Sequence, residues 1–262
     1  MEGAELRPRS ASEIVDAALG LLRAHYAAWV MLLALFTLPS VAYSQYMFDS
    51  MRLAQRGIAW GPILLVLGVG SICNAIAEGV TVTAMAESYL GRPLDAARAI
   101  ARLPSRLFPL LVATLFRWIV VLALSVALIV PGVYAAVRSA CLDCSVMLDD
   151  ARDDGLSAFG RTWRLTAGHE SHVFLSILLM LAIYMVGYVV ALIAVRVAAL
   201  AVPALHGPRL NALAQNVLLL LVLPVMPAVR TVLYYDLRVR KEGFDVELLA
   251  RALDAAPGAP AA

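Results

Sequence analysis

From Val173 to Ala201 the chain carries a single charged residue, Arg196, and from Leu107 to Ala136 again only one, Arg117. Apolar runs of this length leave few folds open. In a bilayer, about 20 apolar residues rising 1.5 Å each cross the hydrocarbon as a helix that satisfies its own backbone hydrogen bonds. In water such runs need a large polar shell, and this chain has none: 62% of its 262 residues are hydrophobic and 15% are charged, against roughly a quarter charged in soluble domains. The sequence therefore predicts an all-α, polytopic integral membrane protein. Its six transmembrane helices fall near residues 26–48, 60–86, 107–130, 133–148, 173–202 and 211–235.

The net charge of +2 conceals a strong sorting. The N-terminal segment, the second and fourth loops and the C-terminal tail hold most of the Lys and Arg, among them Arg7, Arg9, Arg23, Arg92, Arg98, Arg102, Arg106, Arg161, Arg164, Arg238, Arg240 and Lys241. The opposite loops hold only Arg52, Arg56 and Arg209. By the positive-inside rule both termini are cytoplasmic, which requires an even number of spans. The expected location is the inner (plasma) membrane, crossed several times. The first apolar run does not resemble a cleaved signal: Glu13 and Asp16 precede it and no small-residue cleavage site follows. This divides the chain into a cytoplasmic N-terminal amphipathic segment (1–25), a six-helix membrane domain (26–242) and a C-terminal helix with a Pro/Ala-rich tail (243–262).

A short amphipathic segment precedes each of three hairpins. The segments begin at Asp16, Asp95 and Ser157, each with an Arg seven residues in: Arg23, Arg102 and Arg164. Ser10-Ala11-Ser12-Glu13 reads as a capping box, and Ile14, Ala18, Leu21, Leu22 and His25 then recur at helical spacing. That pattern suits a helix lying in the cytoplasmic interface. Phe244, Leu248, Leu249 and Leu253 suggest a fourth, C-terminal copy. The expected architecture is three repeats of interfacial helix plus transmembrane hairpin. Arg23, Arg98, Arg102, Arg161 and Arg164 are candidates for binding anionic lipid headgroups or a protein partner.

Ionisable residues within the spans cost roughly 2.5–3.5 kcal/mol each on insertion scales, so they pair or face a cavity. The second hairpin reads as a tight turn at Pro131-Gly132. Arg117 lies fourteen residues before Pro131 and Asp143 twelve after it, within about 3 Å of one depth at 1.5 Å per residue, so an Arg117–Asp143 pair is expected. Glu78 and Arg230 form a second candidate pair, while Arg138 and Arg196 are placed to snorkel toward the outer face. Ser71, Asn74, Glu78 and Thr81 share an arc of about 80°. This polar stripe reads either as inter-helix hydrogen bonding or as a substrate path centred on Glu78. Pro224 and Pro227 should kink the sixth span.

No pattern supplies a catalytic centre. Cys141 and Cys144 stand alone within a short span, His169 and His172 are three residues apart, and Asp149, Asp150, Asp153 and Asp154 depart from a calcium-loop pattern and suit helix capping. No phosphate loop or nucleophile elbow occurs. No metal, cofactor or nucleic-acid partner is expected.

Four stretches carry a family resemblance: Leu6-Arg7-Pro8 with Glu13-Ile14-Val15-Asp16-Ala17; Pro131-Gly132-Val133-Tyr134 with Arg138; Trp163-Arg164-Leu165-Thr166 with Gly168; and Tyr234-Tyr235-Asp236-Leu237-Arg238. Together they resemble a group of bacterial six-span membrane proteins that includes the membrane domain fused to some glycerophosphoryl diester phosphodiesterases. The resemblance implies the six-span fold. It implies no hydrolase activity, because in the fused proteins that activity belongs to a separate soluble domain. The expected function is a non-enzymatic membrane scaffold or partner subunit that engages lipids or proteins at the cytoplasmic face. The alternative is a small permease or channel using Glu78, Asn74, Arg117, Asp143 and Arg230.

Overall fold

The computed structural model describes residues 7–53, 60–149, 154–202 and 207–247, whose regular structure is helical throughout. In chain order the helices are α1 (Ala11–Ala24), α2 (Tyr26–Leu53), α3 (Trp60–Tyr89), α4 (Ala96–Ala127), α5 (Ile129–Arg138), α6 (Leu142–Leu148), α7 (Gly155–Thr166), α8 (Glu170–Ala201), α9 (Pro208–Val222) and α10 (Val225–Glu242). Six segments are long and apolar enough to cross a membrane: Tyr26–Tyr46, Ile63–Tyr89, Ala96–Ala127, Ile129–Leu148, Glu170–Ala201 and Arg209–Glu242. Burial separates them. In the fourth and sixth, 67% and 56% of the most apolar window is buried, against 11–22% in the others. So α5–α6 and α10 form the middle of the bundle, and α2, α4 and α8 turn broad apolar faces outward.

Ser10 opens α1 as expected. Its Oγ accepts from Glu13 N at 3.3 Å, and Glu13 Oε2 accepts from Ser10 N at 2.7 Å. These contacts, with Arg7 beside the carboxylate, lower the Glu13 pKa to about 2. The helix stops at His25, whose backbone leaves the helical region, and the Trp29 indole then donates to Leu21 O across the bend. Ile14, Val15, Ala18, Leu21 and Leu22 are buried against the bundle, where α1 packs on α10 and α8. Protein, rather than lipid, covers the apolar face of α1. His25, assigned to that face from spacing, is exposed.

The three expected repeats take unlike forms. The first and third have separate short helices, α1 and α7. The second does not: α4 runs without a break from its Asp95 cap through Pro104 and Pro109 to Ala127. A proline inside a helix bends it and removes one N–H, but it supplies no stop signal. The third copy ends at Gly168, whose φ of +79° is the left-handed conformation that glycine adopts without steric cost. The second copy has no such residue. Phe244 of the fourth copy is buried, while Leu248, Leu249 and Leu253 lie outside the described residues.

Two span boundaries also shift. The second hairpin turns at Leu128, in extended conformation, and Pro131 falls in the first turn of α5, where a missing N–H costs little. Gly132 has a different task from turning: a Cβ there would lie 2.0 Å from Ser125 Oγ and 2.8 Å from Ser125 Cα, so only glycine lets α5 approach α4 so closely. The sixth span is broken rather than kinked. Its two helices, α9 and α10, meet at Leu223-Pro224, and near this break Leu221 O accepts from the Tyr26 hydroxyl. Arg9 meets Asp236 and Arg240 on α10, so the chain's two described ends lie at one end of the bundle, called here the terminal end.

Candidate functional site

The two ion pairs expected inside the membrane merge into one group. Arg117 of α4 donates from Nη1 to Asp143 Oδ2 at 3.1 Å, and Arg230 of α10 donates from Nη1 to the same oxygen at 3.3 Å and to Glu78 Oε2 of α3. Two carboxylates and two guanidiniums thus balance in charge. Asp143 is fully enclosed, while the other three keep 16–17% of their side-chain surface exposed. The interruption of the fourth span positions Asp143. Helix α5 stops at Arg138, a turn follows, and α6 starts afresh with Asp143 in its first turn, where the helix dipole favours a carboxylate. Leaving one of these charges without its partner costs about 3–5 kcal/mol in a buried setting.

Asn74 does not join this group. It is exposed, and Ser71 is partly so, while Thr81 is buried and donates to Ala77 O of its own helix at 2.7 Å. The stripe read from the sequence is therefore split: Glu78 faces the quartet and Asn74 faces outward. Arg138 does not snorkel outward either. It is buried, pairs with Glu170 at the start of α8 at 2.5 Å, donates to the Tyr134 hydroxyl oxygen at 3.0 Å and lies 4.7 Å from the Trp163 ring centroid. The short α5 places it within reach of α7 and α8. Arg196 is exposed on α8, near the end remote from Glu170.

A second set of buried carboxylates closes the terminal end. Asp236 accepts from Arg9 N at 2.7 Å and Arg240 Nε at 2.8 Å and faces His172 Nε2 at 3.0 Å. Asp149 takes Arg161 Nε at 2.5 Å and Ser145 Oγ at 2.9 Å and accepts from the Tyr234 hydroxyl. Glu87 faces Arg102 at 3.1 Å and Arg98 at 3.9 Å. Three of the five arginines expected to meet lipid headgroups are thus paired within the chain: Arg98 and Arg102 with Glu87, and Arg161 with Asp149 and Glu242. Arg23 and Arg164 are exposed, and no ion pair holds them among the described residues.

Sequence reasoning did not single out Glu87, and it weighed His172 only as a metal ligand beside His169. Glu87 carried a signal, as a lone carboxylate ending an apolar run, and Asp236 stood within a motif used only for resemblance. Of the acidic run, Asp154 caps α7 by accepting from Ser157 N at 2.8 Å, which lowers its pKa. Asp149 belongs to the buried set, and Asp150 and Asp153 lie outside the described residues. Among the described residues no three His, Cys, Asp or Glu side chains are grouped to hold a metal ion, and Cys141 and Cys144 are buried thiols.

One cavity reaches the quartet. It has a volume of about 390 Å³ and lies between α4, α5, α8 and α10. Trp118, Val121, Val137, Phe174, Leu178 and Met226 form much of its apolar wall, and Arg117 and Arg230 also line it. Trp118, Phe174 and Leu178 are 45–54% exposed, so the cavity opens through the outward apolar face of α4 and α8.

No protein-family model matches this chain, and neither a curated protein nor a solved structure matches it.

Proposed function

We propose that this chain is a non-enzymatic integral membrane protein that acts as a scaffold or partner subunit, related to the bacterial six-span group it resembles. One observation carries the reading: the charges facing the bundle interior are matched within the chain, and the cavity that reaches them is walled by apolar side chains and opens sideways. Such an arrangement suits a rigid body that binds within the membrane plane or at its surface. The sorting of Lys and Arg supports cytoplasmic termini in an inner membrane. Arg23 and Arg164 are the arginines best placed to meet anionic headgroups or an acidic partner surface, because carboxylates of the chain itself occupy Arg98, Arg102 and Arg161. Tagged full-length protein purified from its native membrane should bring down a defined protein or lipid. Exchanging both Arg23 and Arg164 for Gln should reduce that recovery without lowering the protein's own yield. Recovery unchanged by this exchange removes the surface role.

A permease is the second reading, favoured by a specific feature. Asp143 Oδ1 is buried with no hydrogen-bond partner among the described residues, and the two arginines paired with Asp143 line the cavity. In a transporter, Glu78→Gln should abolish substrate flux while yield and thermal stability stay unchanged. Loss of folded protein in that variant points instead to a structural quartet.

A further inference from the structure

The cavity between α4, α5, α8 and α10 is apolar over most of its wall, yet two guanidinium groups stand in that wall. Each Arg side chain is 17% exposed. Arg117 makes its contact with Asp143 through Nη1, and Arg230 reaches both Glu78 and Asp143 through Nη1. A guanidinium has five N–H donors in a rigid fork. Among the described residues no hydrogen bond takes the Nε or Nη2 donors of either residue, and both side chains line a space bounded by Trp118, Val121, Phe174 and Leu178. At this depth there is no bulk water to take them, and an unmet donor in an apolar setting costs 1–3 kcal/mol or so. The wall needs an oxygen acceptor, and the rest of the space needs hydrocarbon.

We propose that this cavity is a binding site for a long-chain carboxylic acid taken from the surrounding bilayer. Four features select that class. The planar carboxyl group matches the guanidinium fork, which a tertiary amine or an unsubstituted hydrocarbon cannot. The volume of about 390 Å³ sits at the small end of ligand sites, which run from roughly 300 to 1,000 Å³, and suits one chain better than a two-chain lipid. Arg117 lies ten residues below the outer end of α4, about 15 Å at 1.5 Å per residue, or half of a ~30 Å core. A single-chain acid reaches that depth, whereas the large polar headgroup of a two-chain phospholipid is held at the surface. The quartet is already neutral, so the acid enters in its uncharged form without leaving net charge in the membrane. Its carbonyl oxygen accepts from the spare Arg donors, and its chain lies along Val121 and Leu178. The site goes beyond the scaffold reading and stands or falls separately from it.

Full-length protein in phosphatidylcholine vesicles, incubated with a photoreactive long-chain fatty acid, tests the assignment. Label should concentrate on peptides of α4, α5 and α8 that line the cavity. Unlabelled fatty acid should compete, and the alkane of equal chain length, which has no oxygen acceptor, should compete at least tenfold less well, a difference of one decade in affinity. Ala136→Phe, which narrows the cavity from α5 and leaves all four charges in place, should reduce specific labelling at least tenfold at unchanged yield and thermal stability. Label spread evenly over the outward faces and indifferent to Ala136→Phe means annular lipid only and overturns the site. Equal competition by the alkane overturns recognition of the carboxyl group, and displacement by added anionic phospholipid alone assigns the cavity to a two-chain lipid.

Discussion

Asp143 is the residue on which the interior depends most. It is the only quartet member enclosed on all sides, and one of its oxygens receives both guanidiniums. Asp143→Ala should therefore cost about 3–5 kcal/mol, the range for a buried ion pair broken on one side. Denaturant unfolding of the detergent-solubilised protein measures it. Arg117→Gln combined with Asp143→Asn removes a matched pair and leaves Arg230 with Glu78. The double variant should be more stable than the sum of its single changes predicts, which a double-mutant cycle reads directly. Sequence spacing paired Arg117 with Asp143 because antiparallel helices put similar distances from a turn at similar depth, while Glu78 and Arg230 were matched only by lying toward the same ends of their helices. It could not join the two pairs into one group, because which helices adjoin is not encoded in depth. It also placed Asn74 in the path, since an arc of 80° on a helix wheel spans both an inward and an outward edge.

At the scale of elements, close contacts and caps decide where helices start and stop. Gly132→Val should destabilise the protein by about 1–3 kcal/mol, the usual cost of overpacking, because Ser125 of α4 blocks any Cβ there. Ser125→Gly should recover only part of the loss, since the Ser125 backbone stands within 2.8 Å as well. The N-terminus of α1 responds to acid. Glu13 is held at about 2, below its ordinary 4.5. Its contribution to the cap is therefore full above pH 4.5 and lost as pH falls toward 2. Hydrogen exchange corrected for intrinsic rate should show the first turn of α1 losing protection over that window, and Glu13→Gln should abolish the dependence. Capping boxes and prolines were legible because they act through neighbours in sequence. The continuity of α4 was not, because a helix ends where its backbone finds new partners, and those are supplied by packing.

For the whole molecule, the terminal end is tied together by Asp236, which holds the backbone of Arg9, the side chain of Arg240 and His172 at once. Asp236→Asn should loosen this tie. The expected result is faster exchange at Ser10–Glu13 and easier proteolysis near Arg9, with the membrane helices unaffected. A structural role confined to α10 would leave the N-terminal segment protected. This tie also explains why α1 is no lipid-bound surface helix: anchored at both its ends, it is drawn onto α10 and α8 and buries its apolar face there.

The amino-acid sequence by itself determined the helical class, the six apolar spans, the opening cap of α1 and the pairing of Arg117 with Asp143. Each of these follows from local rules: hydrogen-bond self-sufficiency in hydrocarbon, helical periodicity and rise per residue. Only the tertiary structure decided that four charges form one neutral group and that three of the five arginines expected at the headgroups are paired within the chain. It also decided that a space beside the group opens toward lipid. Those outcomes depend on which helices adjoin and how closely they approach, and residues as far apart as Glu78 and Arg230 do not report that until the chain has folded.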